Sequence, residues 1–140
     1  MKSCRNVQLF QLRRLAVVVL PLVSTSLFAT DLYSVVDGNT VMIEGRKFHL
    51  HGIDAPALNE ICPASDGRSW PCGGKARDQL AEAMASATTA CQIIGRETVL
   101  CRTAGLDVGA LLVKEGLAKA SDDYWDVEDR ARAAKVGIWQ

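Results

Sequence analysis

The sequence predicts an α+β domain in which short strands dominate, a five-stranded barrel capped by about three helices. Two observations carry that expectation. Segments of four or five residues rich in β-branched side chains follow one another across tight, glycine-bearing turns, and three later stretches change to the three- and four-residue apolar spacing of helices.

Leu32–Val36 and Thr40–Ile43 flank Asp37-Gly38-Asn39, and Glu44-Gly45-Arg46 turns the chain into Lys47–His51. The first three strands therefore form a meander. From Gly74 to about Ala87, the residues Ala76, Leu80, Ala83 and Ala87 fall on one helical stripe, with Lys75, Arg77, Asp78 and Glu82 between them. Cys91–Ile94 and Thr98–Cys101 around Gly95-Arg96-Glu97 form a hairpin that supplies strands four and five. Asp107 is the N-cap of a second helix, which carries Val108, Leu111 and Leu112 inward and stops at Gly116. A third helix runs from about Val127 to Val136, with Ala131, Ala134 and Val136 apolar, and Gly137 ends it before Ile138-Trp139. Five strands with helices after the third and fifth are the plan of an OB-type barrel.

Lys2, Arg5, Arg13 and Arg14, the lack of any acid before Asp31, and the apolar run from Leu15 to Ala29 have the layout of a secretory signal peptide cleaved near Ala29. That run is 15 residues long and interrupted by Pro21, Ser24, Thr25 and Ser26. It falls short of the roughly 20 apolar residues of a stable membrane span. The expectation is a leader over 1–29 and one domain over 30–140, periplasmic or secreted. Removing the leader takes away four cations and no acids, so the remaining 111 residues carry a net charge of −4. General nucleic-acid binders rely on a basic surface to neutralise phosphates, and this balance argues against that class.

Of five cysteines, Cys4 lies in the leader and Cys62, Cys72, Cys91 and Cys101 in the domain. An even number in an exported domain reads as two disulfides. Four cysteines allow three connectivities, and local geometry favours one of them. The hairpin places Cys91 opposite Cys101, within disulfide range, and Cys62–Cys72 then closes a loop whose Asp66-Gly67 and Pro71 mark turns. A four-cysteine zinc site is disfavoured because no C-x-x-C pair is present.

Asp37-Gly38-x-Thr40, Phe48-x-Leu50, Ile53-Asp54-Ala55-Pro56, Gly95-Arg96, Gly116-Leu117-Ala118-Lys119 and Gly137-Ile138-Trp139 occur in one order along nearly the whole domain. In that order and spacing the chain resembles the staphylococcal-nuclease (thermonuclease) family. Active members of that family read D-G-D-T, F-R-L, D-T-P-E or D-A-P-E, and Y-G-R. The resemblance implies a calcium site built from two aspartates and a backbone carbonyl, a glutamate that activates water, and two arginines that bind the phosphate. Here Asp54 and Arg96 match, and Ala55 supplies the carbonyl position. Asn39 replaces the first metal aspartate, His49 the strand arginine, Ala57 the glutamate and Ile94 the tyrosine.

Asn39 brings a carbonyl oxygen but no charge, so Asn39, Asp54 and Ala55 would hold calcium only weakly. Ala57 has no base, and losing a general base typically costs about 10²–10⁴ in rate. Glu60, three residues later, is the candidate replacement base. Asp37 has an ordinary role in an Asx turn. His49 and His51 share a strand face, which permits a two-histidine metal site with Asp54, although plain strand exposure is the favoured reading. His49, when protonated, would favour an anionic ligand. Arg96 faces the phosphate position if the resemblance holds. Trp139 reads as a core plug, Trp70 as packing on a disulfide and Trp125 as exposed, while Asp122 to Asp129 reads as a solvated turn and helix start. The functional expectation is an exported thermonuclease-like protein of impaired or lost nuclease activity that acts as a binding or interaction module in the cell envelope. Its ligand would be a nucleotide, a nucleic acid or an envelope protein. The alternative is an active calcium-dependent endonuclease or phosphodiesterase on DNA or RNA that uses Asp54, Arg96 and His49 or Glu60.

Overall fold

The computed structural model describes residues 33–140. The expected leader over 1–29 and Leu32 of the first strand lie outside the described residues. The chain runs β1 (Tyr33–Val35), β2 (Thr40–Ile43), β3 (Arg46–Leu50), β4 (Ile53–Asp54), β5 (Cys62–Pro63), β6 (Ser69–Trp70) and α1 (Cys72–Met84). It continues with β7 (Ala90–Ile93), β8 (Thr98–Thr103), β9 (Leu106–Asp107), α2 (Val108–Lys114), β10 (Lys119–Ala120), α3 (Trp125–Ala134) and a 3-10 turn over Gly137–Trp139. This is a mixed α+β fold of many short strands and three α-helices.

The main sheet follows the order β1-β2-β3-β8-β7, with β9 also paired to β8. β1, β2 and β3 form the expected antiparallel meander, in which Val41 faces Phe48. Phe48 and Leu50 are buried while Lys47 and His49 are exposed, the period of two expected of a half-buried strand. β3 and β8 are parallel, pairing His49 with Thr98 and Leu50 with Val99. Parallel neighbours need a long crossover, and here α1 and β7 provide it. The β7–β8 hairpin has the expected register, with Cys91 opposite Cys101.

Both disulfides, Cys62–Cys72 and Cys91–Cys101, are present. Each closes a loop of sequence separation 10. By chain entropy, a loop of that length stabilises the fold by about 3 kcal/mol. No helix among the described residues is long and apolar enough to cross a membrane.

Ala76, Leu80 and Met84 form the buried stripe of α1, against a core that includes Val41, Phe48, Val99, Val108, Leu112 and Leu117. The helix begins two residues before the expected Gly74, because Cys72 and Gly73 are themselves buried. A Cβ on Gly73 would lie 1.7 Å from the Ala57 carbonyl oxygen, so only glycine lets α1 pack on the 57–58 backbone. The Asp107 side chain caps α2 by accepting from the Ala110 amide. Val113 is buried with Leu112, whereas Leu111 is only half-buried. The inward face of α2 thus keeps Val108 and Leu112 of the expected stripe and takes Val113 in place of Leu111. Gly116 and Gly137 both have positive φ, and the Ile138 amide donates to the Gly116 carbonyl at 2.8 Å. Two glycines that read as helix stops also seat the C-terminal turn on the end of α2.

Candidate functional site

The site residues expected from sequence fall into two neighbouring polar regions. The first is a corner made by the β1–β2 turn, β3 and the start of β4. The Asp37 carboxylate accepts from the Asn39 amide at 3.0 Å, which is an Asx turn. Asn39 Nδ2 donates across to the Ile53 carbonyl at 3.2 Å. With the amide nitrogen committed to a carbonyl, Asn39 Oδ1 must be the acceptor that His49 Nδ1 faces at 3.1 Å. This assignment puts the proton of neutral His49 on Nδ1 and leaves Nε2 as the free nitrogen. The Thr40 hydroxyl also donates to Asn39 Oδ1, at 3.4 Å.

The corner therefore satisfies itself. A carboxylate at position 39 would put an acceptor oxygen against the Ile53 carbonyl, a contact that needs a cation or a donor between them; the carboxamide closes it with its own N–H. Calcium takes six to eight oxygen ligands. Asn39 turns its oxygen to His49 and its nitrogen toward Ile53, so Asp54 alone brings charge. The donor set of Asn39, Asp54 and the Ala55 carbonyl does not fit calcium. Arg96 lies on the turn beside this corner, because the His49 amide donates to Glu97 O at 2.7 Å. Its guanidinium is exposed and makes no ion pair or side-chain hydrogen bond among the described residues.

The two-histidine metal site is not formed. His49 turns to Asn39, whereas His51 Nε2 meets the Asp123 carboxylate at 2.7 Å. Among the described residues, the group of three close ligand atoms is Glu60, Cys62 and Cys72, and both sulfurs are consumed by the disulfide. Neither arrangement offers a metal centre.

The second region is a cleft of about 250 Å³ whose lining includes Asp54, Ala55, Glu60, Lys119 and Trp139. Asn39, His49 and Arg96 are not part of this lining. Asp54 and Lys119 are directly opposed across the antiparallel β4–β10 pair, so both side chains leave the same face. Neither joins an ion pair among the described residues. Glu60 Oε2 accepts from the Ala57 amide at 3.0 Å, and the Glu60 amide donates to Ala57 O at 2.7 Å. Its carboxylate thus folds back to residue 57. Sequence spacing alone does not reveal that return, because it depends on the conformation of the 57–60 turn.

The far wall of the cleft is held by a buried acid. Glu128 is only 5% exposed, which corrects the expectation that Asp122 to Asp129 is wholly solvated. Its Oε2 accepts from the Ala120 amide at 2.6 Å, and its Oε1 accepts from Arg132 at 2.8 Å. Burial is tolerated because these partners satisfy the charge. The Arg132 guanidinium then stacks over the Trp139 ring at 3.7 Å. Glu128 thereby links β10, α3 and the tryptophan that lines the cleft. Trp139 is half-buried, not the core plug expected, and Trp125 is exposed as expected. Trp70 pairs with Cys62 beside the first disulfide. Lys119 and Trp139 stand out in sequence only as parts of the Gly116–Lys119 and Gly137–Trp139 runs. Their meeting with Asp54 is a tertiary fact.

At the start of α3, Tyr124 adopts a left-handed φ of 68°. Burial first, and then the Asp107 carboxylate, push its hydroxyl pKa well above the ordinary tyrosine value.

No protein-family model matches the chain. The chain is similar to the succinoglycan biosynthesis protein ExoI of Rhizobium meliloti (strain 1021), at 30% identity over 119 residues. That match covers 76% of this chain and 62% of the relative. The chain therefore spans less than two thirds of the length of the curated relative it matches.

Proposed function

We propose that the protein has a thermonuclease-like fold whose hydrolytic chemistry is impaired or lost, and that after export it acts as a binding module in the cell envelope. The observation that carries this reading is the self-satisfied corner at Asn39. Its carboxamide donates to the Ile53 carbonyl and faces His49, so the corner closes without a cation. Ala57 offers no base there. The sheet order β1-β2-β3-β8-β7 with its parallel β3–β8 step supports a partly open OB-type barrel. Two disulfides support folding in an oxidising compartment. The net charge of −4 after the leader turns attention away from nucleic acid, and the relative named for succinoglycan biosynthesis turns it toward glycans.

One observation favours a second reading. Asp54 and Glu60 line the same cleft, so a slow phosphodiesterase with Glu60 as a relocated base has its two carboxylates close together. Cleavage of single-stranded DNA and RNA by the oxidised protein, with calcium or other divalent ions and with a chelator control, separates the two. The binding-module reading expects no cleavage above the chelator control. Chelator-sensitive cleavage abolished by Asp54→Ala would overturn it and establish the enzyme.

A further inference from the structure

We propose that the cleft between β4, the 57–63 loop, β10 and the C-terminal turn is a binding site for one ring of a neutral saccharide. This deepens the binding-module reading and rests on it. The chemistry of the lining selects the ligand by elimination. A phosphate or other simple anion would meet the carboxylates of Asp54 and Glu60, and a simple cation would meet Lys119. A wholly apolar ligand would strip water from three charged groups and give them nothing in return. A ligand with neutral hydroxyls has no such conflict, because each hydroxyl can donate to a carboxylate and accept from an ammonium.

Asp54 and Lys119 suit that role because they face each other across β4–β10 and neither is used in an ion pair among the described residues. An acceptor and a donor side by side can engage two adjacent hydroxyls of one ring. Pro56, Ile138 and the Trp139 ring supply an apolar wall. The C–H face of a pyranose packs on such a surface while its edge reaches polar groups, the division of labour common in small-molecule sites. The tryptophan is also pre-set, since Arg132 lies 3.7 Å over its ring and is itself anchored by buried Glu128. A side chain already fixed loses little entropy on binding. A volume of about 250 Å³ has room for one ring and not for a chain, so further units of an oligosaccharide would lie outside it.

The test is titration of the oxidised chain with cellohexaose and with maltohexaose, two neutral oligosaccharides of opposite linkage, followed by calorimetry and by the indole N–H resonance of Trp139. The expected result is saturable binding of at least one of them with a shift of that resonance. Binding should weaken about tenfold in Asp54→Ala and in Lys119→Ala, the loss expected for one hydrogen bond to a charged group. Both side chains are free of internal partners among the described residues, so melting temperatures close to the parent's are expected and will show that the variants are folded. Failure of both hexasaccharides to saturate, unchanged affinity in both variants, or competition by inorganic phosphate would overturn the proposal. The nuclease assay keeps the two failures apart. No saccharide binding with no cleavage removes this inference alone, whereas Asp54-dependent cleavage removes the binding-module reading beneath it.

Discussion

The Asn39 corner and the Asp54–Lys119 cleft lie next to each other and treat their polar groups in opposite ways. In the corner, the carboxamide of Asn39 is engaged by Ile53, His49 and Thr40, so its polar atoms are spent on the protein itself. In the cleft, Asp54 and Lys119 face each other and neither joins an ion pair among the described residues. The difference teaches that polar groups satisfied within the fold are withheld from a ligand, while unpaired groups a few residues away keep that capacity. Exchanging a carboxylate for a carboxamide removes the charge and supplies the hydrogen bond that a metal would otherwise mediate.

The largest effect should come from rebuilding the corner. Ala57→Glu alone is expected to give no detectable cleavage of DNA with calcium, because Asn39 and His49 still close the corner without metal. The triple variant Asn39→Asp, His49→Arg, Ala57→Glu should raise calcium-dependent cleavage by about 10²–10⁴, the range attributed to a general base. Robust cleavage by the single variant would sink the account of the corner.

Next in size is the wall of the cleft. Glu128→Ala removes the acceptor of the Ala120 amide and the anchor of Arg132. Urea denaturation should show a loss of about 2–3 kcal/mol, below the full cost of breaking a buried pair because Arg132 is half exposed. The same variant should free the Trp139 ring, read as a change in tryptophan emission; an unchanged midpoint and spectrum would mean that Glu128 does not support the cleft.

Asn39→Asp by itself should cost about 1–2 kcal/mol, since it loses the bond to Ile53 and places like partial charges together. Millimolar calcium should return part of that stability to the variant and none to the parent. Equal calcium responses in the two proteins would show that position 39 does not decide metal binding.

The smallest effect concerns Tyr124, outside both regions. Its folded pKa is raised, so its contribution is fully present below the ordinary tyrosine value of 10.0 and is lost as pH rises beyond it. Stability measured by denaturant should fall above about pH 10 in the parent and fall less steeply in Tyr124→Phe. Parallel curves would indicate that another group governs the alkaline limb.

Much of the architecture was legible in the chain because it depends on neighbours in sequence. The period-two alternation of β3, the Ala76–Leu80 stripe, the Asp107 cap and the Cys91–Cys101 register all follow from local periodicity or hairpin geometry. The 33–140 fold thus carries the expected meander, hairpin and three helices, with helix boundaries moved by two or three residues, and adds the short strands β4, β5, β6, β9 and β10 to the five expected. The departures have two causes. Val113 replaces Leu111 in the core, Glu128 is buried under β10, and His51 leaves His49 for Asp123 through packing between elements, whereas Glu60 folds back to Ala57 through the conformation of one local turn. The sequence by itself determined the meander, the hairpin, the three helices and the disulfide pairing, since those depend on residue type and short spacing. Only the tertiary structure decided that β3 lies parallel to β8, that Asn39 closes on Ile53, and that Asp54, Lys119 and Trp139 share one cleft. Such meetings are set by how distant segments pack, and no local pattern encodes which side chains will face each other once they do.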